Sequence, residues 1–182
     1  TFSMSDTRRY LCGAFFFMEL VIRRKNGDTL TVIYDEQDHA AISMYKWHVR
    51  MTKSGPYAGT YSLIDGSRAL MHRLIMSASG KDVFVDHRNG DGIDNRRCNL
   101  RVCTRRQNCM NRRSFGASKY LGVFFMSYTG KNGKRYGPYI RASIRINGIQ
   151  ERLGTFKTEE AAAQAYDLAA RAHHGEFARL NF

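Results

Sequence analysis

Between positions 88 and 95 the chain reads Arg-Asn-Gly-Asp-Gly-Ile-Asp-Asn, and six of those eight residues are Asn, Asp or Gly. Glycine accepts positive φ, and Asn or Asp side chains bond their own backbone two residues on, so such a run makes turns. No helix or strand crosses it, and it must join two separate elements. The apolar Val83-Phe84-Val85 before it and Leu100-Arg101-Val102 after it supply them as short strands. Thr104 then offers a side-chain oxygen to cap a helix over 105–112. With a helix-like Ala69–Met76 in front, the block 67–113 reads as helix, strand, loop, strand, helix.

The rest of the chain sorts around that block into an α+β organisation. Over 18–66 the runs Glu19–Ile22, Thr29–Tyr34 and Tyr57–Leu63 read as strands, punctuated by Asn26-Gly27-Asp28 and Ser54-Gly55-Pro56. Glu36–Trp47 reads as a helix that turns Ile42, Tyr45 and Trp47 inward, so this block is a β-rich scaffold with no chemistry of its own. The chain starts without methionine and Met18-Glu19-Leu20 offers a start, so residues 1–17 are suspected to be an extension outside the folded domain. A linker over 114–118 leads to 119–182, where Tyr120–Met126, Tyr139–Ile146 and Ile149–Leu153 read as strands. Asn147-Gly148 joins the last two in a tight hairpin. Thr158 opens a helix to about His173 whose apolar face is Ala161, Ala165, Leu168, Ala169 and Ala172. The block is therefore a three-stranded antiparallel sheet packed on one helix. No apolar run approaches the roughly 20 residues of a membrane span, so no membrane partner is expected.

Charge separates the blocks further. Residues 1–67 carry 8 basic and 7 acidic groups, 68–117 carry 11 and 4, and 118–182 carry 10 and 5, so of the net +13 all but one charge sits in the last two. Such an excess favours a polyanion through phosphate neutralisation and counterion release. The four cysteines form no CxxC pair, which leaves a zinc knuckle without its spacing and points to reduced thiols of a cytosolic protein.

Asp86 and His87 end a strand and point to opposite faces, so one can bind a metal while its neighbour faces a substrate. A divalent ion on the Asp86 carboxylate and the Asn108 amide oxygen would sit on a phosphate, and His87, neutral near pH 7, would take a proton from water. An all-oxygen set implies magnesium or manganese and not zinc. An EF-hand loop starting at Asp86 fails, because Arg88 and Arg97 fall at its third and twelfth positions.

Met71-His72-Arg73-Leu74-Ile75-Met76, Val85-Asp86-His87, the run Asn89 to Arg97, Asn99-Leu100-Arg101 and Gln107-Asn108 together resemble the HNH nucleases, especially homing and free-standing endonucleases of bacteriophages. The resemblance implies a ββα-metal core acting on double-stranded DNA in the cytoplasm of a bacterial host. It implies that His87 is the general base, that Asn99 bonds across the loop, and that Asn108 replaces the family's last histidine, as in the magnesium-using homing branch. Arg73, Arg101, Arg105, Arg106 and Arg112 are expected phosphate contacts as a group. His72 is balanced between a phosphate contact and a packed structural role.

In the last block Arg141, Ser143 and Arg145 alternate with apolar neighbours, and Arg152 and Gln150 extend the same polar face. Tyr120-Leu121-Gly122-Val123, Leu153-Gly154-Thr155-Phe156, Ala165-Tyr166-Asp167 and Leu180-Asn181-Phe182 resemble the DNA-binding domain of plant ethylene-response factors. Laid into a major groove, the polar face offers Arg141, Arg145 and Arg152 to guanine edges and phosphates, whereas Leu121, Phe124 and Met126 stand where that family has basic residues. Tyr128–Pro138, with Lys131, Lys134 and Arg135, reads as a loop able to touch phosphates. The competing reading is a non-catalytic DNA-binding regulator, against which the intact Asp86, His87, Asn99 and Asn108 argue. Oligomeric state is left open.

Overall fold

The computed structural model describes residues 7–12, 15–24, 26–61, 68–111 and 117–182. They fall into two compact units, Thr1–Asn108 and Cys109–Phe182. In the first, β1 (Thr7–Cys12), β2 (Phe15–Arg23) and β3 (Thr29–Asp35) form an antiparallel sheet in chain order. Thr7 pairs with Leu20 and Cys12 with Phe15, so the suspected extension over 1–17 supplies a paired strand to this sheet. Alternation on β3 sends Val32 and Tyr34 inward, both essentially fully buried.

A 3-10 turn (Glu36–Asp38) leads into α1 (His39–Ser43). The helix expected to reach Trp47 stops early, where the Trp47 indole N–H donates to the Ile42 carbonyl at 2.8 Å. The freed residues start β4 (His48–Thr52), which joins β5 (Gly55–Tyr61) and β6 (Arg68–Leu70) in a second antiparallel sheet. Because Ala69 and Leu70 pair with Thr60 and Gly59, α2 is only Met71–Ile75. An antiparallel pair follows, β7 (Phe84–His87) with β8 (Leu100–Cys103), and then α3 (Arg105–Met110). Thr104 caps α3 reciprocally: its hydroxyl accepts from the Gln107 N–H while the Gln107 carboxamide oxygen accepts from the Thr104 N–H.

Ile22, Val32, Tyr34, Ile42, Trp47 and Ala58 form one buried cluster with Met71, Ile75, Val85 and Leu100. The expected boundary at 66/67 thus runs through a single core. The strands before it and the motif-bearing block after it cannot bury their apolar faces separately.

In the second unit β9 (Val123–Thr129), β10 (Arg135–Ile146) and β11 (Ile149–Phe156) form an antiparallel sheet with β10 in the middle, covered by α4 (Glu159–His174). Asn147 and Gly148 have φ of 53° and 88°, the left-handed pair that a two-residue hairpin requires. The stretch Tyr128–Pro138, read as a loop, is mostly strand, tightened around a turn where the Gly130 N–H donates to the Lys134 carbonyl. Residues 112–116, which include Arg112 and most of the expected linker, lie outside the described residues. Among the described residues no helix is long and apolar enough to cross a membrane.

The buried side of α4 is Ala162, Ala163, Tyr166 and Ala170, and Leu168 is 71% exposed. The expected face is off by one residue, about 100° of helix rotation. Alanines on every side of α4 leave its phase undetermined by pattern; larger groups decide it. Tyr166 lies over Gly122, where an added Cβ would come within 1.9 Å of the ring. Asp167 accepts the backbone N–H groups of Asn181 and Phe182 and the Asn181 carboxamide, which ties down the C-terminal segment. Gly122→Ala, which also puts a side chain at φ +72°, is expected to destabilise this unit by at least about 1–3 kcal/mol. Urea unfolding of the variant checks this, and an unchanged midpoint would refute the contact.

Candidate active site

β7 carries two chemical faces. Asp86 and Arg101 are opposite one another in the ladder, hence on one face, and both side chains are 7% exposed. The guanidinium donates from Nε and Nη2 to the same carboxylate oxygen at 2.9 and 2.6 Å. Arg101, an expected phosphate contact, is instead engaged inside the protein by the residue expected to hold the metal. A buried carboxylate requires such a partner, because an isolated charge in this position would be heavily penalised. Burial and the Asp86 charge push the neighbouring Cys103 thiol up to about 11, so it is held in the neutral form.

His87 occupies the other face, 4% exposed. Its ring meets His72 edge-to-face at 4.8 Å between centroids and 81°, and Tyr57 packs on both rings at 5.7 Å. Nε2 lies 3.4 Å from the Asn95 carboxamide oxygen. Burial holds the His87 imidazole below the ordinary histidine range, against the opposing effects of Asn95, Asp86, Asp94 and Asp91. Burial, with the charges of His87 and Arg73, lowers His72 to about 3. Both rings are neutral at neutral pH.

The loop between β7 and β8 is built from hydrogen bonds. Asn99 accepts from the Asn89 N–H and donates to the Asn89 side chain and the Asp94 carbonyl, at 3.0, 3.0 and 2.8 Å. Burial raises the Asp94 carboxyl, but the hydrogen bonds and charge of Arg96 outweigh it and hold the group below the usual carboxylate range. The loop is also stitched to the N-terminal sheet. Ile33 and Asp94 form a parallel bridge, the Arg97 N–H donates to Asp35, and the Arg97 guanidinium grips Asp38 at 3.0 and 2.6 Å. Gly92 permits the closest approach: a Cβ there would lie 2.4 Å from the Pro56 carbonyl and 2.7 Å from the Tyr57 ring.

The other expected residues divide. Asn108 is half-buried on α3 and Arg105 is exposed at the start of that helix. Arg73, expected on phosphate, donates to the carbonyls of Val83, Ala78 and Gly80 at 2.5, 2.8 and 2.9 Å and closes the turn between α2 and β7. Arg141, Arg145 and Arg152 belong to the second unit. Among the described residues no three His, Cys, Asp or Glu side chains gather in a metal-holding cluster. Sequence reasoning missed Tyr57, Asp35 and Asp38, which lie in the block read as inert scaffold, and assigned no role to Asn95. Only Asn95, next to Asp94 in the motif run, carried a local signal.

The site is thus a short antiparallel pair whose first strand ends in a carboxylate and an enclosed neutral imidazole, followed by a helix bearing an amide. The sequence profile of HNH endonucleases matches residues 69–110, which span these elements. A protein of Acanthamoeba polyphaga mimivirus named as an uncharacterized HNH endonuclease is 34% identical over 145 residues, covering 77% of this chain and 68% of that one. No solved structure matches significantly. Fold and site define a mixed α/β nuclease, and the chain belongs to the HNH endonuclease family, whose members generally use divalent metals.

The buried histidines give the site an acid limit. Because the folded His72 pKa lies far below its unfolded value, the unfolded chain takes up a proton that the folded one refuses. The stability this group contributes is complete above about pH 6.5 and is lost as pH falls from there toward 3, by about 1.4 kcal/mol per pH unit. His72→Gln is expected to flatten that slope in urea unfolding between about pH 7 and pH 5. Parallel slopes for variant and wild type would mean that His72 titrates freely.

Proposed function

We propose that this chain is a divalent-metal-dependent endonuclease of double-stranded DNA, with His87 as general base and the metal held by Asp86 and Asn108. The observation that carries this reading is the placement of Asp86 and His87 on opposite faces of one strand end, with the imidazole neutral and held by Asn95, His72 and Tyr57. With Nε2–H donated to the Asn95 oxygen, the basic lone pair of His87 falls on Nδ1, from which it would deprotonate a water. Asn99 holds the loop that carries Asn95.

Asp86 and Asn108 offer only oxygen, a donor set suited to magnesium or manganese. When bound, such an ion would neutralise charge on the phosphate and on the leaving oxygen. Asp86 would share its carboxylate between the ion and Arg101. Arg105, exposed at the start of α3, would contact a phosphate. The second unit would serve as an ethylene-response-factor-type DNA-binding module, with Arg141, Arg145 and Arg152 on its exposed face.

Wild-type protein should nick supercoiled plasmid only with added magnesium or manganese. His87→Ala should lower the rate by about 10² to 10⁴ while gel shifts in EDTA show retained DNA affinity, since base loss leaves phosphate contacts intact. Near-wild-type cutting by that variant would sink the assignment. For the metal, Asp86→Ala is a poor test, because it strands a buried Arg101 and costs about 3–5 kcal/mol. Asp86→Asn, which keeps an oxygen to accept from Arg101 though not its charge and whose folding is verified by thermal unfolding, and Asn108→Ala should instead shift the magnesium titration of cleavage to higher concentration. Curves that overlay wild type would eliminate these ligands.

A further inference from the structure

The exposed face of the C-terminal sheet is divided by chemistry. Opposed residues in an antiparallel ladder share a face. Arg141 opposes Phe124 and Thr155, Tyr139 opposes Met126, Tyr136 opposes Tyr128, Ser143 opposes Arg152 and Arg145 opposes Gln150. The other face sends Val123, Ala142 and Ile144 into the core with α4. Over β10 and β11 the exposed half is polar and basic, with Gln150 bonded to Ser143 and Arg152 to Thr155. Over β9 and the start of β10 it is apolar and aromatic: Phe124, Met126, Tyr128 and Tyr139 are between 39% and 58% exposed.

The aromatic half is ordered before any partner arrives. The Tyr128 ring stacks on Tyr136 at 5.2 Å and 19° and on Tyr139 at 6.0 Å and 14°. The Asn132 amide donates to the Tyr136 hydroxyl at 3.1 Å. A contiguous row of exposed large apolar groups marks an interaction surface. A second copy of the chain is a poor occupant, because pairing the two faces would oppose their arginines. Arginines beside the rings and ten basic against five acidic residues over 118–182 favour a polyanion. An intact duplex offers phosphates and groove edges to the arginines, but its base faces are hidden in the stack. Unpaired bases present those faces, and stacking on aromatic side chains tolerates any sequence.

We propose that this face binds single-stranded DNA, its bases stacking on Phe124 and the Tyr128, Tyr136 and Tyr139 rings and its phosphates lying on Arg141, Arg145 and Arg152. The inference rests on the reading that DNA is the substrate and adds that the second unit holds an unpaired strand, such as one released at a nick.

The test uses the full chain in EDTA, so that nothing is cut, with a short dye-labelled oligonucleotide as a single strand and as a duplex, followed by fluorescence anisotropy at one salt concentration. Tyr139→Ala and Phe124→Ala should each weaken single-strand binding about 5- to 100-fold, the loss expected for one stacked base. Duplex binding should hold, and Tyr139→Phe, which keeps the ring, should bind like wild type. Both positions are exposed, and thermal unfolding verifies that the variants fold. Unchanged single-strand affinity in the alanine variants would overturn the proposal. Equal losses on both probes would overturn it in favour of a duplex-docking face. A wild-type dimer that Phe124→Ala converts to monomer would overturn it in favour of self-association. Plasmid nicking by wild type, read separately with magnesium, fails only if the nuclease reading fails.

Discussion

Two backbone hydrogen bonds tie the loop after β7 to the N-terminal sheet, from the Ile33 N–H to the Ile93 carbonyl and from the Asn95 N–H to the Ile33 carbonyl. A loop of Asn, Asp and Gly has no apolar core of its own, so its order must come from satisfied polar groups. These bonds place the carboxamide oxygen of the fully buried Asn95 beside Nε2 of His87, and the grip of Arg97 on Asp35 and Asp38 fixes the far end of the loop. The close approach at Gly92 lets β5 of the second sheet bring Tyr57 against both histidines. The N-terminal strands are therefore part of the site, and the motif-bearing block without them would lose the partners of its loop and half of its core.

The two faces of β7 are electrostatic opposites. On one, a buried carboxylate is neutralised by a buried guanidinium; on the other, two imidazoles are enclosed and uncharged. The period-two alternation of a strand achieves this separation with adjacent residues, Asp86 and His87. A metal recruited by the carboxylate would then have no occasion to bind the imidazole and remove its lone pair. Breaking the Asp86–Arg101 pair from either side leaves an uncompensated buried charge, so stability and chemistry are coupled at this position.

Much of this was legible in residue order. The loop, its flanking strands, the Thr104 cap and the Asn147-Gly148 hairpin all follow from local rules, and the structure has them. What was not legible depends on distant partners. Arginine looks the same in sequence whether it meets a phosphate or a carbonyl, and only the β7–β8 register turned Arg101 toward Asp86, as only the turn after α2 enclosed Arg73. The phase of α4 was hidden by its alanines until Tyr166 met Gly122 and Asp167 met Asn181. Tyr57 lay in a block without any motif, so nothing local marked it as part of the site.

The environment of His87 sets a compromise in base strength. A general base works best with a pKa near the operating pH. Burial draws the ring below its ordinary value, and the Asn95 contact and the charges of Asp86, Asp94 and Asp91 draw it back only in part. The result is an imidazole that is unprotonated at neutral pH and ready to accept a proton, but weaker as a base than one in water. Arg101 and Arg96 contribute to this by cancelling much of the field of Asp86 and Asp94, the carboxylates that would otherwise favour imidazolium. His72 contributes by staying neutral itself, since a cation at 4.8 Å would oppose proton uptake at His87. Arg101, which sequence alone assigns to phosphate binding, thus bears on His87 from inside the protein, by holding one of the carboxylates whose charge reaches the ring.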